Sequence, residues 1–238
     1  MIVLANKELP GFGAIGFRGK LRPSQVAAVS VIEPQLEIQG KHLHIVAPPG
    51  SGKTVLGLYV WADLVRKPTL VLSPNSAIQA QWAARTDLFD LDGKDEFVTT
   101  DPKSPGLLTS LTYQSITMPK RGGEELNEAA IELWTESLIS NGEAIDEASA
   151  LAWQDDLRIR NNDYYEDRLS TYRKKVRDEF SKHGNALWTL SESAKNNLQR
   201  LKEVGIGLII LDECHHLLHH WGRVLTEVRE YFDNPIVL

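Results

Sequence analysis

The feature that most constrains this fold is a glycine-rich turn between a short apolar run and a helical pattern. Residues 43–60 read LHIVAPPGSGKTVLGLYV, which predicts a strand, a turn and an amphipathic helix in that order. Gly50 and Gly52 have no Cβ, so the backbone N–H groups of the turn can point inward around phosphate oxygens. The positive end of the following helix adds to this attraction. The sequence therefore predicts a phosphate-binding loop.

The side chains of this loop predict how it binds a nucleotide. Lys53 is expected to reach the β- and γ-phosphates of ATP, and the Thr54 hydroxyl to ligate a magnesium ion. The strict motif has glycine where this chain has Ala47, but the GSGKT core is intact. The loop residues predicted to hold the nucleotide are Pro49, Gly50, Ser51, Gly52, Lys53 and Thr54.

A second glycine pattern, Gly11, Gly13 and Gly16, matches the G-x-G-x-x-G of dinucleotide sites. No adequate strand precedes it, and FRGKLRPSQ is a poor start for the helix that such a site requires. The sequence favours a flexible loop here.

An acidic pair supplies the partner that a phosphate-binding loop needs. The buried-strand pattern LIIL (208–211) is followed by Asp212 and Glu213. Asp212 is expected to hold the magnesium ion, and Glu213 to orient or deprotonate the attacking water.

The same stretch also permits a zinc site. Cys214 is followed by two pairs of histidines at i, i+4 spacing, His215 with His219 and His216 with His220. Adjacent histidines point in different directions on a helix, and no second cluster supplies the missing ligands. The sequence favours the acidic motif over zinc.

The hydrophobic pattern predicts an α/β fold with a mainly parallel sheet flanked by helices. Apolar runs alternate with helical segments over residues 43–117, and GIGLIIL resumes this pattern. We predict a nucleotide-binding domain over residues 1–117 and 205–238. Residues 118–204 are charged and favour helices, which predicts a helical insertion. NPIVL (234–238) lies in what the pattern predicts as a further strand, so we expect the natural protein to continue.

Charge and cysteine content exclude several classes of protein. A formal net charge of −6 argues against a strongly basic module that binds mainly by neutralising phosphates. One cysteine excludes an internal disulfide, and no apolar run approaches the roughly 20 residues that span a bilayer. We expect a cytoplasmic protein without a membrane partner; the sequence gives no oligomeric state.

Together these motifs resemble a known family. APPGSGKT followed at a distance by DECHH is similar to motifs I and II of the superfamily 2 DExH-type helicases and translocases, closest to the ATPase subunit of type III restriction enzymes. LRPSQ (21–25) resembles the family's LRPxQ element, which implies that Gln25 reads adenine. TLVLSPNSAIQAQW (69–82) resembles motif Ia, and LLTSLTYQSI (107–116) the motif Ib region. The resemblance implies a RecA-like fold that binds ATP and Mg²⁺.

The resemblance also implies partners. Two segments would contact the backbone of a nucleic acid, with DNA favoured over RNA, through small hydroxyls, amides and N–H groups. A second RecA-like domain would supply arginine fingers. His215 and His216 would couple the nucleotide site to that domain or to motif III. The predicted nucleic-acid contacts are Ser73, Pro74, Asn75, Thr112, Tyr113 and Gln114.

Three alternatives stay open at this point. Pro74 and Asn75 can simply form a turn, with Ser76 capping the next helix. The insertion either offers a basic and aromatic row, which includes Arg168, Tyr172, Lys175 and Glu179, to nucleic acid, or forms a solvated helical hairpin that packs its Leu, Trp and Ile residues against the sheet domain. Finally, the chain can be an ATPase or switch that acts on protein partners through the insertion.

Overall fold

A parallel sheet organises the chain, whose structure is a computed structural model that describes residues 9–36, 42–48, 50–214 and 219–238. The described strands are β1 (Gly16–Phe17), β2 (Thr69–Ser73), β3 (Phe89–Asp90), β4 (Val98–Thr99), β5 (Leu108–Thr112), β6 (Leu208–Leu211) and β7 (Ile236–Val237). The described helices are α1 (Pro23–Ile32), α2 (Lys53–Tyr59), α3 (Ser76–Ala84), α4 (Gln114–Thr117), α5 (Glu124–Ser140), α6 (Glu147–Arg160), α7 (Asn162–Lys182), α8 (Glu192–Val204) and α9 (His219–Tyr231).

Five of these strands form one parallel sheet in the order β4-β5-β2-β6-β7. All five residues of the central strand β2 are buried, as expected for a strand that is covered on both faces. Val71 of this strand packs in one hydrophobic cluster, while Leu70 and Leu72 pack in another on the opposite face. The predicted α/β class, a parallel sheet flanked by helices, is confirmed.

The register of the sheet brings three loops to one edge. Leu72 of β2 pairs with Leu211 of β6, and Ser73 pairs with Thr112 of β5. Because the strands are parallel, the residues that follow each of them lie at the same carboxyl edge. The Asp212 N–H donates to the Leu72 carbonyl across this edge (2.9 Å).

The segment that leads into the phosphate-binding loop continues the sheet beyond β7. His42 forms a parallel bridge with Val237, and the Leu43 N–H donates to the Val237 carbonyl (2.8 Å). Residues 43–48 form no regular strand, which differs from the prediction. The loop nevertheless emerges at the same edge as the acidic pair, with β7 between them.

The first glycine pattern packs against the helix of the phosphate-binding loop. Arg66 ends a π-helical turn (Val60–Val65) that extends α2, and its guanidinium donates to the carbonyls of Gly13 (2.7 Å) and Ile15 (3.0 Å). Gly16 lies in β1, which pairs with β3, and no helix begins within the described residues 9–22. This geometry differs from the strand, glycine turn and helix that a dinucleotide site requires.

The helices α5, α6 and α7 form a bundle with its own hydrophobic core. Leu126, Ala130, Trp134 and Leu138 recur every four residues along one face of α5 and are all buried. Tyr172 of α7 stacks on Trp134, with ring centroids 5.6 Å apart.

This packing changes both earlier interpretations of the insertion. The hypothesis that its tryptophan and leucine side chains pack against the sheet is wrong for Trp134 and Leu138, because these pack within the bundle. The proposed nucleic-acid row loses its aromatic member, because Tyr172 is only 4% exposed. The Lys175 ammonium lies 4.4 Å from the Tyr172 ring on the outside of α7.

The chain enters and leaves this region at one place. Pro119 and Leu190 form an antiparallel bridge, and the Ser191 N–H donates to the Met118 carbonyl (2.8 Å). The next helix, α8, packs with the sheet through Ala194, Leu198 and Leu201 rather than with the bundle. We therefore propose that the separate module is the three-helix bundle, and that α8 belongs to the sheet domain.

Candidate nucleotide site

Two glycines of the predicted phosphate-binding loop have left-handed backbone conformations. Gly50 and Gly52 have φ values of 76° and 86°, in the left-handed region that glycine adopts without strain. A Cβ at Gly52 would lie 2.6 Å from the side-chain nitrogen of Gln25. Both glycines are therefore required by the shape of this loop.

Lys53 joins the loop to the acidic pair. Its Nζ lies 3.2 Å from the Ala47 carbonyl oxygen and 3.5 Å from Oε1 of Glu213, which is 160 positions further along the chain. Both side chains are about one-third exposed, so this ion pair contributes little stability. Its importance is geometric, since it places the lysine of one motif against the carboxylate of the other.

The LRPxQ element packs directly on the loop. The Gln25 Nε2 donates to the Gly52 carbonyl (3.1 Å), and its Oε1 accepts from the Arg22 N–H (2.8 Å). The Arg22 guanidinium donates to the Gly50 carbonyl (3.0 Å). Gln25 thus lies beside the predicted nucleotide site, and Arg22 is a contact of the loop that sequence reasoning missed.

Asp212 is held from three directions. Besides the backbone contact with Leu72, its Oδ2 accepts the Trp82 indole N–H (2.7 Å), and its carbonyl accepts the Tyr113 hydroxyl (2.9 Å). Burial, with the neighbouring acidic groups, holds the pKa of the Tyr113 hydroxyl above its ordinary value, so this group stays a donor. Glu213 has a φ of 53°, which is unusual for a residue other than glycine.

The predicted nucleic-acid contacts gather at the same edge of the sheet but differ in exposure. Asn75 and Gln114 are exposed, and Pro74 and Thr112 are half-buried. Ser73 and Tyr113 are buried, so their side chains have no surface to offer to a passing strand. Asn75 also caps α3 by accepting the Ile78 N–H (3.0 Å), a role that the sequence had suggested for Ser76.

Some predictions fall on residues outside the described ones. These are Pro49 of the loop and the coupling candidates His215 and His216. Within the described part of the chain, no group of three or more His, Cys, Asp or Glu side chains is placed to hold a metal ion. Cys214 Sγ lies 4.0 Å from Nε2 of His44.

Ser51 gives a test of whether the loop fits phosphate. Its Oγ is buried and has no hydrogen-bond partner among the described residues. A buried hydroxyl without a partner loses free energy, which an acceptor such as a phosphate oxygen would restore. Together with two glycines at positive φ and a lysine at the start of α2, this orphaned donor fits a bound nucleotide.

Comparison with known proteins agrees with this geometry. Residues 18–238 match the family described as type III restriction enzyme, res subunit. The chain belongs to this family. It is accordingly a helicase-like ATPase domain of superfamily 2, as the motifs had indicated. No curated protein matches the chain. Among the described residues, no helix is both long and apolar enough to cross a membrane.

Within this res-subunit domain, Trp82 is a second residue, besides Arg22, whose contact with the site the sequence did not indicate. It closes the segment that resembles motif Ia, but its type gave no indication that it reaches Asp212, 130 positions away. No sequence signal identifies this contact, because the burial of the indole and the pairing of β2 with β6 follow from the fold.

Proposed function

We propose that this chain is the ATP-binding domain of an ATP-dependent helicase or translocase that acts on nucleic acid, with DNA favoured. The observation that carries the proposal is the 3.5 Å approach of Lys53 Nζ to the Glu213 carboxylate. This contact brings the phosphate-binding loop and the acidic pair to a single site. Family membership supports ATP hydrolysis as the chemistry of that site.

The residues present suggest how the site would hold ATP and Mg²⁺. The N–H groups around Gly50 and Gly52, together with Lys53, would bind the phosphates, and Thr54 and Asp212 would hold the metal ion. Bound magnesium neutralises charge that develops on the phosphates during hydrolysis. Glu213 would orient the attacking water, and Gln25 would read adenine by releasing its contact with Gly52.

Hydrolysis in this proposal needs a second RecA-like domain. The resemblance implies arginine fingers from that domain, and loss of such a finger costs about 10³ to 10⁵ in rate in related phosphoryl-transfer enzymes. The chain alone is therefore expected to bind nucleotide and to hydrolyse it slowly. ATP binding would change the fit between the two domains and so move the protein along a strand.

The variant Lys53→Ala tests the nucleotide site. We expect it to weaken ATP binding by about tenfold or more, because a charged contact to phosphate is lost, and to leave the melting temperature nearly unchanged. Titration of a fluorescent ATP analogue with Mg²⁺, followed by thermal unfolding, measures both. Lys182→Ala is the matched control, since it breaks the ion pair with Glu179 on α7 away from the site. Equal affinity of Lys53→Ala and Lys182→Ala would contradict the assignment.

An ATPase that acts on protein partners is the competing proposal, with the three-helix bundle as its docking arm. The two proposals differ in a direct measurement. A labelled single-stranded oligonucleotide should bind at low salt if the carboxyl edge of the sheet contacts nucleic acid, and affinity should fall as salt is raised. No binding by the chain paired with its second domain would favour the protein-partner alternative.

A further inference from the structure

The Trp82 side chain lies between the two halves of the nucleotide site. It is 2% exposed, and its Nε1 donates to Asp212 at 2.7 Å. Its ring packs on Gly57 of α2, where an added Cβ would lie 2.7 Å from Cη2. No side chain larger than hydrogen fits at that position without moving the indole. Trp82 therefore contacts the helix that follows the phosphate-binding loop as well as the acidic pair.

Helix α3 carries Trp82 and begins at the turn that is proposed to contact a nucleic-acid strand. The turn residue Asn75 caps this helix, so the turn and the indole belong to one rigid element. Gln79 fixes α3 to the neighbouring strand, because its Nε2 donates to the Ser110 carbonyl (2.9 Å) and its own carbonyl accepts the Ser110 hydroxyl (2.9 Å). These bonds connect the turn to both Trp82 and β5.

Strand β5 leads to a second contact with Asp212. Tyr113 follows Thr112 at the end of this strand, and its hydroxyl donates to the Asp212 carbonyl. The Tyr113 ring is 1% exposed and stacks on Trp221 of α9, with centroids 5.5 Å apart. Two segments are proposed to contact a nucleic-acid strand. Each of them thus contributes one aromatic side chain that donates a hydrogen bond to Asp212.

We propose that Trp82 and Tyr113 are positioning residues that hold Asp212 for the metal ion and couple it to nucleic acid bound at the carboxyl edge of the sheet. The Trp82 N–H holds the carboxylate through Oδ2, while the Tyr113 hydroxyl holds the main chain. This inference rests on the proposed function, because it assigns these residues to that site. By linkage, a nucleic-acid strand that shifts these contacts changes the affinity of the protein for the metal-bound nucleotide. The bound nucleotide then changes the affinity of the protein for that strand by the same factor.

Three single variants of the full chain test the inference. Trp82→Phe removes the N–H and keeps an apolar ring, and Tyr113→Phe removes only the hydroxyl. The matched control is Trp61→Phe, since the Trp61 indole is also fully buried but donates to the Leu107 carbonyl (3.1 Å), outside the site. For each variant, the affinity for a fluorescent ATP analogue is measured with Mg²⁺ and with a chelator. Both measurements are repeated in the presence of a single-stranded oligonucleotide. Thermal unfolding confirms that each variant is folded.

We expect Trp82→Phe to lose about tenfold in affinity in the presence of Mg²⁺ and to bind the metal-free analogue as the wild type does, because the lost bond is made to a charged carboxylate. Tyr113→Phe should show a smaller loss of the same kind. In both, the factor by which the oligonucleotide changes nucleotide affinity should move towards one. Trp61→Phe should keep the wild-type values.

The outcomes separate this inference from the proposed function. If the wild type binds the nucleotide with Mg²⁺ and Trp82→Phe depends on Mg²⁺ as Trp61→Phe does, the positioning role is overturned while the nucleotide site stands. If both variants lose Mg²⁺-dependent affinity but the oligonucleotide has no effect on the wild type, the coupling role is overturned. A wild type that binds no nucleotide with Mg²⁺ overturns the proposed function and this inference together.

Discussion

A single substitution can separate the cap that Asn75 provides from its proposed contact with nucleic acid. Its side-chain oxygen caps α3, and its exposed position at the carboxyl edge would face a strand. Asn75→Asp keeps a capping oxygen, which is at least as good near the positive end of a helix, and adds a negative charge beside any bound phosphate. We expect affinity for a labelled oligonucleotide to fall by about tenfold at low salt, with no loss of thermal stability.

The chain offers a matched control for this change. Asn161 caps α7 in the same way, by accepting the Tyr164 N–H (3.2 Å), and lies in the three-helix bundle. Asn161→Asp adds the same charge to the protein at a site away from the sheet edge. If the two variants bind the oligonucleotide equally well, the change reflects net charge alone, and Asn75 does not contact the strand.

At the level of helices, the cap of α6 predicts a dependence of stability on pH. The Ser149 N–H donates to the Asp146 carboxylate (2.8 Å), and this bond holds the pKa of that carboxyl below its usual range. A lowered pKa means that the cap stabilises the fold above the unfolded pKa, near 3.9, and that this contribution disappears as pH falls through the folded value. The melting temperature of Asp146→Ala should therefore lie below that of the wild type at pH 7, and the two should converge in acid.

Asp146→Asn distinguishes the charge from the cap. Asparagine also accepts the N–H but carries no titrating group, so it should retain most of the thermal stability at pH 7. Its difference from Asp146→Ala should stay constant with pH. A gap between wild type and Asp146→Ala that does not narrow in acid would show that the carboxylate is not the capping group.

Trp134 decides whether α5, α6 and α7 hold together. It is fully buried, stacks on Tyr172 and contacts the edge of Trp153. Trp134→Ala is expected to cost about 3–5 kcal/mol of unfolding free energy, measured by denaturant titration, while affinity for nucleotide stays unchanged. Trp153→Ala is the control, because this ring is 44% exposed and should cost far less. Equal losses would mean that the bundle has no core of its own.

The sequence pattern predicted which segments of the sheet domain form strands and helices better than it predicted which of these elements pair or pack together. The runs TLVLS and LIIL became β2 and β6, because continuous apolarity suits strands that are buried on both faces. The short pairing of β1 with β3 had no such signal, since each strand has two residues and the pairing depends on tertiary packing. Charged, helix-favouring composition predicted a helical insertion over residues 118–204, but composition cannot distinguish packing against a sheet from packing within a bundle.

The candidate site was predictable to a similar degree. Lys53, Asp212 and Glu213 belong to motifs whose spacing carries chemical information, and the contact between Lys53 and Glu213 fits that expectation. Trp82 was not predictable in the same way, because its partner lies 130 positions away and only the parallel register of β2 and β6 brings them together. Long-range contacts of single side chains require the fold to be known first.

For the whole molecule, the two ends of the insertion lie next to each other, which predicts that the insertion can be removed. Pro119 and Leu190 are bridged neighbours, so a short turn of Asn and Gly can replace residues 120–189 without stretching the chain. The replacement also removes Ala186, whose N–H donates to Glu227 of α9 (2.7 Å). Ala186 is a buried part of the hydrophobic cluster that contains Leu70 and Leu72. We therefore expect a folded protein with a lower melting temperature and with unchanged affinity for an ATP analogue in Mg²⁺.

The affinity of the shortened chain tests which parts of the protein form the nucleotide site. In the structure, the contacts described for Lys53 and for Asp212 are made with elements of the sheet domain. Adding Lys53→Ala to the shortened chain should abolish most binding, which shows that the remaining affinity comes from the same site. If the shortened chain is folded by circular dichroism but no longer binds the analogue, the bundle contributes directly to nucleotide binding.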